Sequence, residues 1–327
     1  MKSEIRHLAV FTSGGDSPGM NACIRASVRA AVGNGIRITG IMRGYQGMIE
    51  DDMVPLNARS VSNIIQRGGT ILKSARSEEF MHRQGRMRAI ENLKKHNIDA
   101  LIAIGGDGTF RGANILIDEC GIRVVGIPGT IDNDLFGTDF TLGFDTAVNT
   151  AVEAIDKIRD TAASHDRLFF VEVMGRDAGY IALWSGISGG AESILLPEEK
   201  TDVGQLVELL RKGEKSQKSS SIVIVCEGDD AGGAVRIAEE VKKLDPHFDT
   251  RVTVLGHVQR GGSPSASDRI LGTRLGVSAV EYLMAGKTGV MVGIRNGEIV
   301  DTPFTEATKK HPAMDNEFLR IAKIVSI

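Results

Sequence analysis

The chain has 327 residues, with 39 Lys plus Arg against 42 Asp plus Glu and a formal charge of −3. At roughly 100 to 200 residues per domain this length holds about two domains with cores of their own, and 42% apolar residues exclude a disordered chain. So balanced a charge excludes a protein that holds nucleic acid or a membrane surface by bulk electrostatics, and it favours small-molecule partners. In chain order, residues 8–11 read as a short apolar strand running into a glycine turn, too short for a signal-peptide core. A helix at 20–32 and a strand at 38–41 follow, then strands at 100–104 and 124–127. Val148, Ala151, Val152, Ile155 and Ile158 recur at helical spacing, so 145–158 is an amphipathic helix. The pattern then restarts, with strands at 168–173, 194–196, 222–226 and 252–258 and helices at 235–244 and 266–284. Residues 212–221 read as a polar connection, and 290–294 and 298–300 flank Asn296-Gly297, the dipeptide most typical of a type I′ hairpin. Strand and helix in alternation give the fold class: α/β, two doubly wound, Rossmann-like domains built on parallel sheets.

Glycine is in excess, 39 residues against 8 prolines and one tryptophan, with no triplet period. At strand ends glycine lets main-chain N–H groups approach phosphates closely, although a chain with many tight turns would show the same excess. Cys23, Cys120 and Cys226 are odd in number and widely spaced, which indicates neither a disulfide framework nor a zinc site and suits a reducing cytoplasm. No apolar run approaches the roughly 18 residues of a membrane span.

Three blocks carry candidate chemistry. Thr-Ser-Gly-Gly-Asp-Ser-Pro-Gly-Met-Asn at 12–21 lies between a strand and a helix, where an α/β sheet binds phosphate. It has neither the Walker Gly-Lys-Ser/Thr nor the dinucleotide spacing, so by itself it is a structural turn or a phosphate cradle. Gly105-Gly106-Asp107-Gly108-Thr109 places an aspartate among bare backbone, as a magnesium ligand beside nucleotide phosphates or as a helix cap. In Pro128-Gly129-Thr130-Ile131-Asp132-Asn133-Asp134, an extended segment would turn Asp132 and Asp134 to one side, as a metal-associated acid and a general base. Arg76, Arg167, Arg176, Arg251 and Arg260 fall near strand ends or glycine turns, and His257 with Arg260 closes a strand with groups suited to a sugar phosphate. Singly, each would read as a solvated or structural residue.

These blocks, together with Val171-Glu-Val-Met-Gly-Arg176 and Gly256-His-Val-Gln-Arg-Gly-Gly-Ser-Pro264, closely resemble the bacterial ATP-dependent 6-phosphofructokinases over essentially the whole chain. The resemblance implies transfer of the ATP γ-phosphoryl group to fructose 6-phosphate with Mg2+, the active site lying in the cleft between an ATP-binding domain (1–142 with 259–307) and a fructose 6-phosphate-binding domain (143–258 with 308–327). It implies Asp132 as base, with Thr130 and Arg176 stabilising the transferring group. Asp107 would hold magnesium, assisted by Asp134. Gly15, Tyr45, Arg76, Ser77, Gly106, Asp107, Gly108 and Thr109 would bind ATP, Tyr45 taking over base stacking because Ser77 replaces an aromatic residue. Thr130, Ile131, Asp132, Met174, Gly175, Arg176, Glu227, His257, Val258, Gln259 and Arg260 would hold the sugar phosphate, with Arg167 and Arg251 reaching in from a neighbouring subunit of a homotetramer.

Pyrophosphate-dependent relatives typically carry Asp and Lys where Gly108 and Gly129 stand here, so the resemblance favours ATP, with pyrophosphate as the alternative donor. A second anion site for ADP or phosphoenolpyruvate is implied by Arg25, Arg29, Arg159, Gly190, Glu192 and Lys218, with Arg59 beside Ala58. Ala58, Ser216 and Ser220 depart from that pattern by removing basic groups, which predicts blunted control. A non-catalytic homologue would be free to lose Asp107 or Asp132, and an NAD or lipid kinase would share only the 105–109 block.

Overall fold

In the computed structural model, which describes residues 5–164, 167–215, 221–308, 314 and 316–325, the first elements are β1 (His7–Thr12), α1 (Met20–Gly33), β2 (Arg37–Ile41), α2 (Tyr45–Glu50), β3 (Met53–Leu56), α3 (Glu78–Met81), α4 (Arg83–Lys95), β4 (Ala100–Gly105), α5 (Asp107–Cys120) and β5 (Arg123–Pro128). Next come α6 (Phe144–Ala163), β6 (Leu168–Val173), α7 (Tyr180–Ser188), β7 (Ser193–Leu195), α8 (Val203–Lys215), β8 (Ser221–Cys226), α9 (Gly233–Leu244) and β9 (Thr250–Val254). A 3₁₀ turn at Gly256–Arg260 leads to α10 (Ala266–Met284), β10 (Val290–Arg295), β11 (Glu298–Pro303), α11 (Phe304–Ala307) and α12 (Asn316–Val325). The chain divides into one unit of Met1–Ile131, Leu135–Asp145 and Arg260–Pro312 and a second of Asp132–Asp134, Thr146–Gln259 and Ala313–Ile327.

The first unit holds a seven-stranded sheet in the order β11-β10-β5-β4-β1-β2-β3. Its five inner strands are parallel, and β3 and β11 add antiparallel edges. Because successive strand residues point to opposite faces, each inner strand feeds two cores. Leu8, Val10, Ala100, Ile102 and Ile104 pack with α1 and α10 residues, whereas Ala9, Phe11, Leu101 and Ala103 pack with Tyr45, Phe80, Phe110 and Phe304. That two-sided burial is why these segments read as continuous apolar runs. Asn296 and Gly297 both take left-handed φ, 50° and 82°, as the type I′ hairpin between β10 and β11 requires.

The second unit holds a four-stranded, all-parallel sheet, β7-β8-β6-β9. Leu168, Phe170, Val223 and Val225 face Leu206, Val207, Leu210, Ile237 and Val241 of α8 and α9. Two expectations change here. The strand expected over 252–258 ends at Val254, because Gly256 takes φ 54° and turns the chain into the 3₁₀ segment that carries His257. The polar connection expected from 212 begins later, since α8 runs to Lys215 on its buried Leu206, Val207 and Leu210. Among the described residues no helix is long and apolar enough to cross a membrane.

Candidate active site

The three glycine-rich blocks leave the carboxyl ends of β1, β4 and β5, which lie side by side. In register, Thr12 stands opposite Ile104 and Gly105 opposite Pro128. Backbone bonds continue the ladder into the loops: Ser13 N–H donates to the Ile104 carbonyl and Gly129 N–H to that of Gly105, at 3.0 and 2.9 Å. The chain leaves β1 toward β2 on one side and leaves β4 toward β5 on the other, so the order reverses between them. Ligands of open α/β sheets bind at such a reversal, outside the strands' carboxyl ends. Gly14 and Gly15 are exposed there, and Thr109, buried behind them, donates its hydroxyl to the Ser13 carbonyl at 3.2 Å.

Asp107 is the first residue of α5, and Gly106 is its N-cap, so Asp107 is not the cap. Its carboxylate meets Arg111 one turn later, Oδ1 to Nε at 3.0 Å and Oδ2 to the second guanidinium nitrogen at 2.9 Å. Asn21 ties the 67–77 segment to the first block, donating to the carbonyls of Arg67 and Gly68 and accepting from Ile71 N–H. Thr12 donates to the Lys73 carbonyl at 2.7 Å, and Ser74 donates to that of Gly14 at 2.5 Å. These bonds bring exposed Arg76 toward the same strand ends, and they give Asn21, on the first turn of α1, and Ser74 a positioning role in the site.

Tyr45 is placed differently from the expected stacking platform. Its ring is buried, stacked on Phe80 at 4.0 Å between centroids and tilted against Phe11 at 5.1 Å. It reaches the second block only through its hydroxyl, which donates to the Thr109 carbonyl at 2.5 Å, and burial pushes that hydroxyl's pKa up. Ser77 caps α3 by accepting from Phe80 N–H and donates to the Gln46 side chain. The two donor-diagnostic glycines also differ. A Cβ on exposed Gly108 would meet no protein atom within 4 Å, whereas one on Gly129 would stand 3.0 Å from Ile104 Cγ2 and Met20 Cε. The space beside Gly129 is therefore filled by the protein, and only Gly108 leaves room for a ligand.

In the second unit the candidate residues again follow parallel strand ends. Met174, Gly175 and Arg176 leave β6, and Glu227 leaves the adjacent β8. Glu227 Oε1 accepts from the N–H groups of Gly175 and Arg176, at 3.3 and 2.9 Å. Arg176 takes a left-handed φ of 52°, and beneath it the Cys226 thiol points at the carbonyls of Arg176 and Ala178. Burial pushes that thiol up to about 12, so it is neutral packing and not a nucleophile. Met174 N–H donates to fully buried Gln259 at 2.9 Å, while His257 and Val258 stand exposed on the 3₁₀ turn.

Asp132 is 1% exposed, with Oδ2 3.6 Å from Arg176 Nε. The segment around it is not extended, because Asn133 takes φ 53°. The same-side argument for Asp132 and Asp134 therefore fails; Asp132 is buried and Asp134 half-buried. Thr130 is buried in the first unit, where its carbonyl accepts from Thr141, and Ile131 is fully buried. Arg260, also in the first unit, lies over the first block, its guanidinium donating to the Asp16 carbonyl at 3.2 Å.

Arg167 and Arg251 both pair with Asp249, at 3.1 and 2.5 Å, by the amino-terminal ends of β6 and β9. Of the expected effector residues, Arg159, Gly190 and Glu192 come together in the second unit, whereas Arg25, Arg29 and Arg59 belong to the first. Arg25 is half-buried and Arg29 exposed on α1, and Arg59 is exposed before α3. Arg159 donates to the carbonyls of Gly189 and Gly190, at 2.5 and 2.7 Å, closing the end of α7, with Glu192 at 4.0 Å. Glu192 in turn accepts from Ile222 N–H. Lys218, Ser216 and Ser220 lie outside the described residues.

A family model described as Phosphofructokinase matches residues 7–283. The chain belongs to the phosphofructokinase family. The ATP-dependent 6-phosphofructokinase 1 of Thermus thermophilus is 55% identical over 323 residues, covering 99% of this chain and 100% of that protein. The ATP-dependent 6-phosphofructokinase of Brevibacillus brevis is 53% identical, again with 99% and 100% coverage. Among solved structures, the phosphofructokinase of Pichia pastoris in the T-state is 35% identical with a TM-score of 0.87, covering 99% of this chain, which spans 39% of that longer one. A pyrophosphate-dependent phosphofructokinase from Nitrosospira multiformis, 23% identical with a TM-score of 0.87, covers 95% of this chain and 86% of its own, and shares the fold.

Magnesium fits this family member's residues in one specific way. Among the described residues no group of three or more His, Cys, Asp or Glu is gathered that could hold a metal ion. Magnesium commonly needs no such group, since one or two carboxylates plus nucleotide phosphates and water complete its octahedron. Asp107, a hard oxygen donor beside the open space at Gly108, suits that arrangement.

Proposed function

We propose that this chain is an ATP-dependent 6-phosphofructokinase, moving the γ-phosphoryl group of ATP to the 1-hydroxyl of fructose 6-phosphate and releasing ADP and fructose 1,6-bisphosphate. The observation that carries this is near-full-length identity of 51 to 55% to proteins named for that activity, in a chain that has Asp107, Asp132 and the His257 block. The open side of Gly108 supports a nucleotide over pyrophosphate, because an aspartate there would set a negative charge where the α-phosphate needs room.

In the mechanism, Asp132 accepts the proton of the 1-hydroxyl as that oxygen bonds to phosphorus, and the bond from phosphorus to the ADP oxygen breaks. Arg176, on the same side as the base at 3.6 Å, neutralises charge on the transferring group. Glu227 and Gln259, by holding the backbone of Met174, Gly175 and Arg176, fix the loop that grips the sugar phosphate with His257. The first unit supplies the nucleotide side, with Gly15, Gly106, Gly108 and Thr109 against the phosphates and Arg76 beside them. Magnesium, held by Asp107 with Asp134 assisting, would supply charge neutralisation on the nucleotide. Tyr45 supports that face from behind.

The same reading makes the protein a cytoplasmic homotetramer with substrate sites shared between subunits, and an effector site using Arg25, Arg29, Arg59, Arg159, Gly190, Glu192 and Lys218 that responds weakly to ADP or phosphoenolpyruvate. A coupled assay with fructose 6-phosphate tests the central claim by comparing magnesium-ATP with pyrophosphate. Rapid turnover with ATP is expected, and faster turnover with pyrophosphate would reject the donor.

A further inference from the structure

Asp107 carries the metal in the reading above, and each of its oxygens already faces a nitrogen of Arg111. Arg111 meets them with two parallel contacts, Nε to Oδ1 at 3.0 Å and the terminal nitrogen to Oδ2 at 2.9 Å. This fork-on-fork arrangement is the strongest geometry a carboxylate and a guanidinium adopt. The terminal nitrogen also donates to the Thr308 carbonyl at 3.3 Å, which anchors the guanidinium from the far side. The two residues are four apart on α5, facing each other across one turn.

Two more features turn a lone cation away from this aspartate. It sits in the first turn of a fourteen-residue helix, where the macrodipole places partial positive charge. Among the described residues no third metal-binding group joins it in a cluster. A bare divalent ion therefore meets a carboxylate already neutralised, at the positive end of a helix. A nucleotide changes the balance, because its phosphates supply the remaining metal ligands and are acceptors for the released guanidinium. Arg111 and Asp107 are 64% and 39% exposed, so the exchange happens in contact with water and strands no buried charge.

The geometry points to Arg111 as a positioning residue, a counter-ion that holds Asp107 and keeps the site closed to free divalent cations until the metal arrives on a nucleotide, whose phosphates then take the guanidinium. This rests on Asp107 being the metal ligand of the proposed kinase.

The test uses the intact protein and Mn2+ without nucleotide, with binding read from the electron paramagnetic resonance signal of free Mn2+. Arg111→Gln is suited to it, since the side chain is exposed and glutamine is a comparable helix former. Removing the positive charge beside the Asp107 carboxylate in a water-exposed site is expected to tighten Mn2+ binding roughly five- to tenfold. Adding Asp107→Asn to the same chain should abolish that gain. In the coupled assay, Arg111→Gln should raise KM for magnesium-ATP severalfold while leaving KM for fructose 6-phosphate within twofold. Mn2+ affinity within twofold of wild type, or a gain that survives Asp107→Asn, overturns the inference. Absence of fructose 6-phosphate phosphorylation in the wild type overturns the kinase reading instead, and the Mn2+ titration distinguishes the two.

Discussion

A methyl group added at Gly228 would stand 1.8 Å from the carbonyl oxygen of Arg176, a backbone atom with no means of swinging aside. Gly228 thereby sets how deep the Met174–Ala178 loop sits, and Glu227 next to it holds the loop's N–H groups. Gly228→Ala should displace Arg176 by an ångström or so, and misplacement on that scale costs about 10²-fold in rate. The expected result is a fall of at least tenfold in kcat/KM for fructose 6-phosphate with KM for ATP within a factor of three, and a loss confined to ATP binding would contradict this account. Asp132 belongs to the same scale. General base help is typically worth about 10²- to 10⁴-fold, so Asp132→Ser should lower kcat by at least 10²-fold while ATP affinity stays nearly intact. Steady-state kinetics showing less than a tenfold loss would sink the base assignment.

Between elements, α1 and α10 pack backbone to backbone. A Cβ on Gly276 would lie 2.6 Å from the Cys23 carbonyl oxygen and 2.8 Å from Ala26 Cβ, and the Ser27 hydroxyl donates to the Gly276 carbonyl at 3.3 Å. Gly276→Val must spread the two helices, at a cost of roughly 1 to 3 kcal/mol for overpacking. A drop of several degrees in melting temperature is expected, and an unchanged melting temperature would show that the helices separate freely. The sequence showed both helices through their periodicity, but not that a glycine between them is a contact surface, because a missing side chain leaves no apolar signal. The same distinction runs through the site. The glycine blocks were legible because strand-to-helix turns place them at parallel strand ends, where the structure puts them. Tyr45 was misread because an aromatic near a nucleotide motif looks the same in sequence whether its ring is free or covered by Phe80. The 3₁₀ turn under His257 was hidden by the valines of 252–258, whose β preference continues past the break at Gly256. Asn133 likewise broke the extended reading of 132–134, since asparagine visits left-handed φ at little cost and carries no marker of doing so.

At the scale of the whole molecule, the second unit's sheet separates the residues expected at the sugar phosphate. Arg167 precedes β6 and Met174 follows it, so at about 3.3 Å per residue the two lie roughly 20 Å apart along one strand. Arg251 stands opposite Phe169, near the Arg167 end, and both arginines turn onto Asp249 there. No side chain spans that distance, so if these arginines serve a site with Met174 and Glu227, they serve the site of another copy. Two inactive variants decide the matter. A chain with Asp132→Ser keeps Arg251, and a chain with Arg251→Ala keeps Asp132. If each site draws Asp132 from one subunit and Arg251 from its neighbour, a hybrid pair contains one site with both defects and one with neither. Random mixing at equal amounts then restores about a quarter of wild-type activity, since half the pairs are hybrid and half the sites in each are intact. If each protomer builds its own site, every site keeps one defect and mixing restores nothing. Co-expressing the two chains in equal amounts and assaying the unfractionated mixture should give that recovery, and activity no higher than that of either parent would mean the arginines act within their own protomer or not at all.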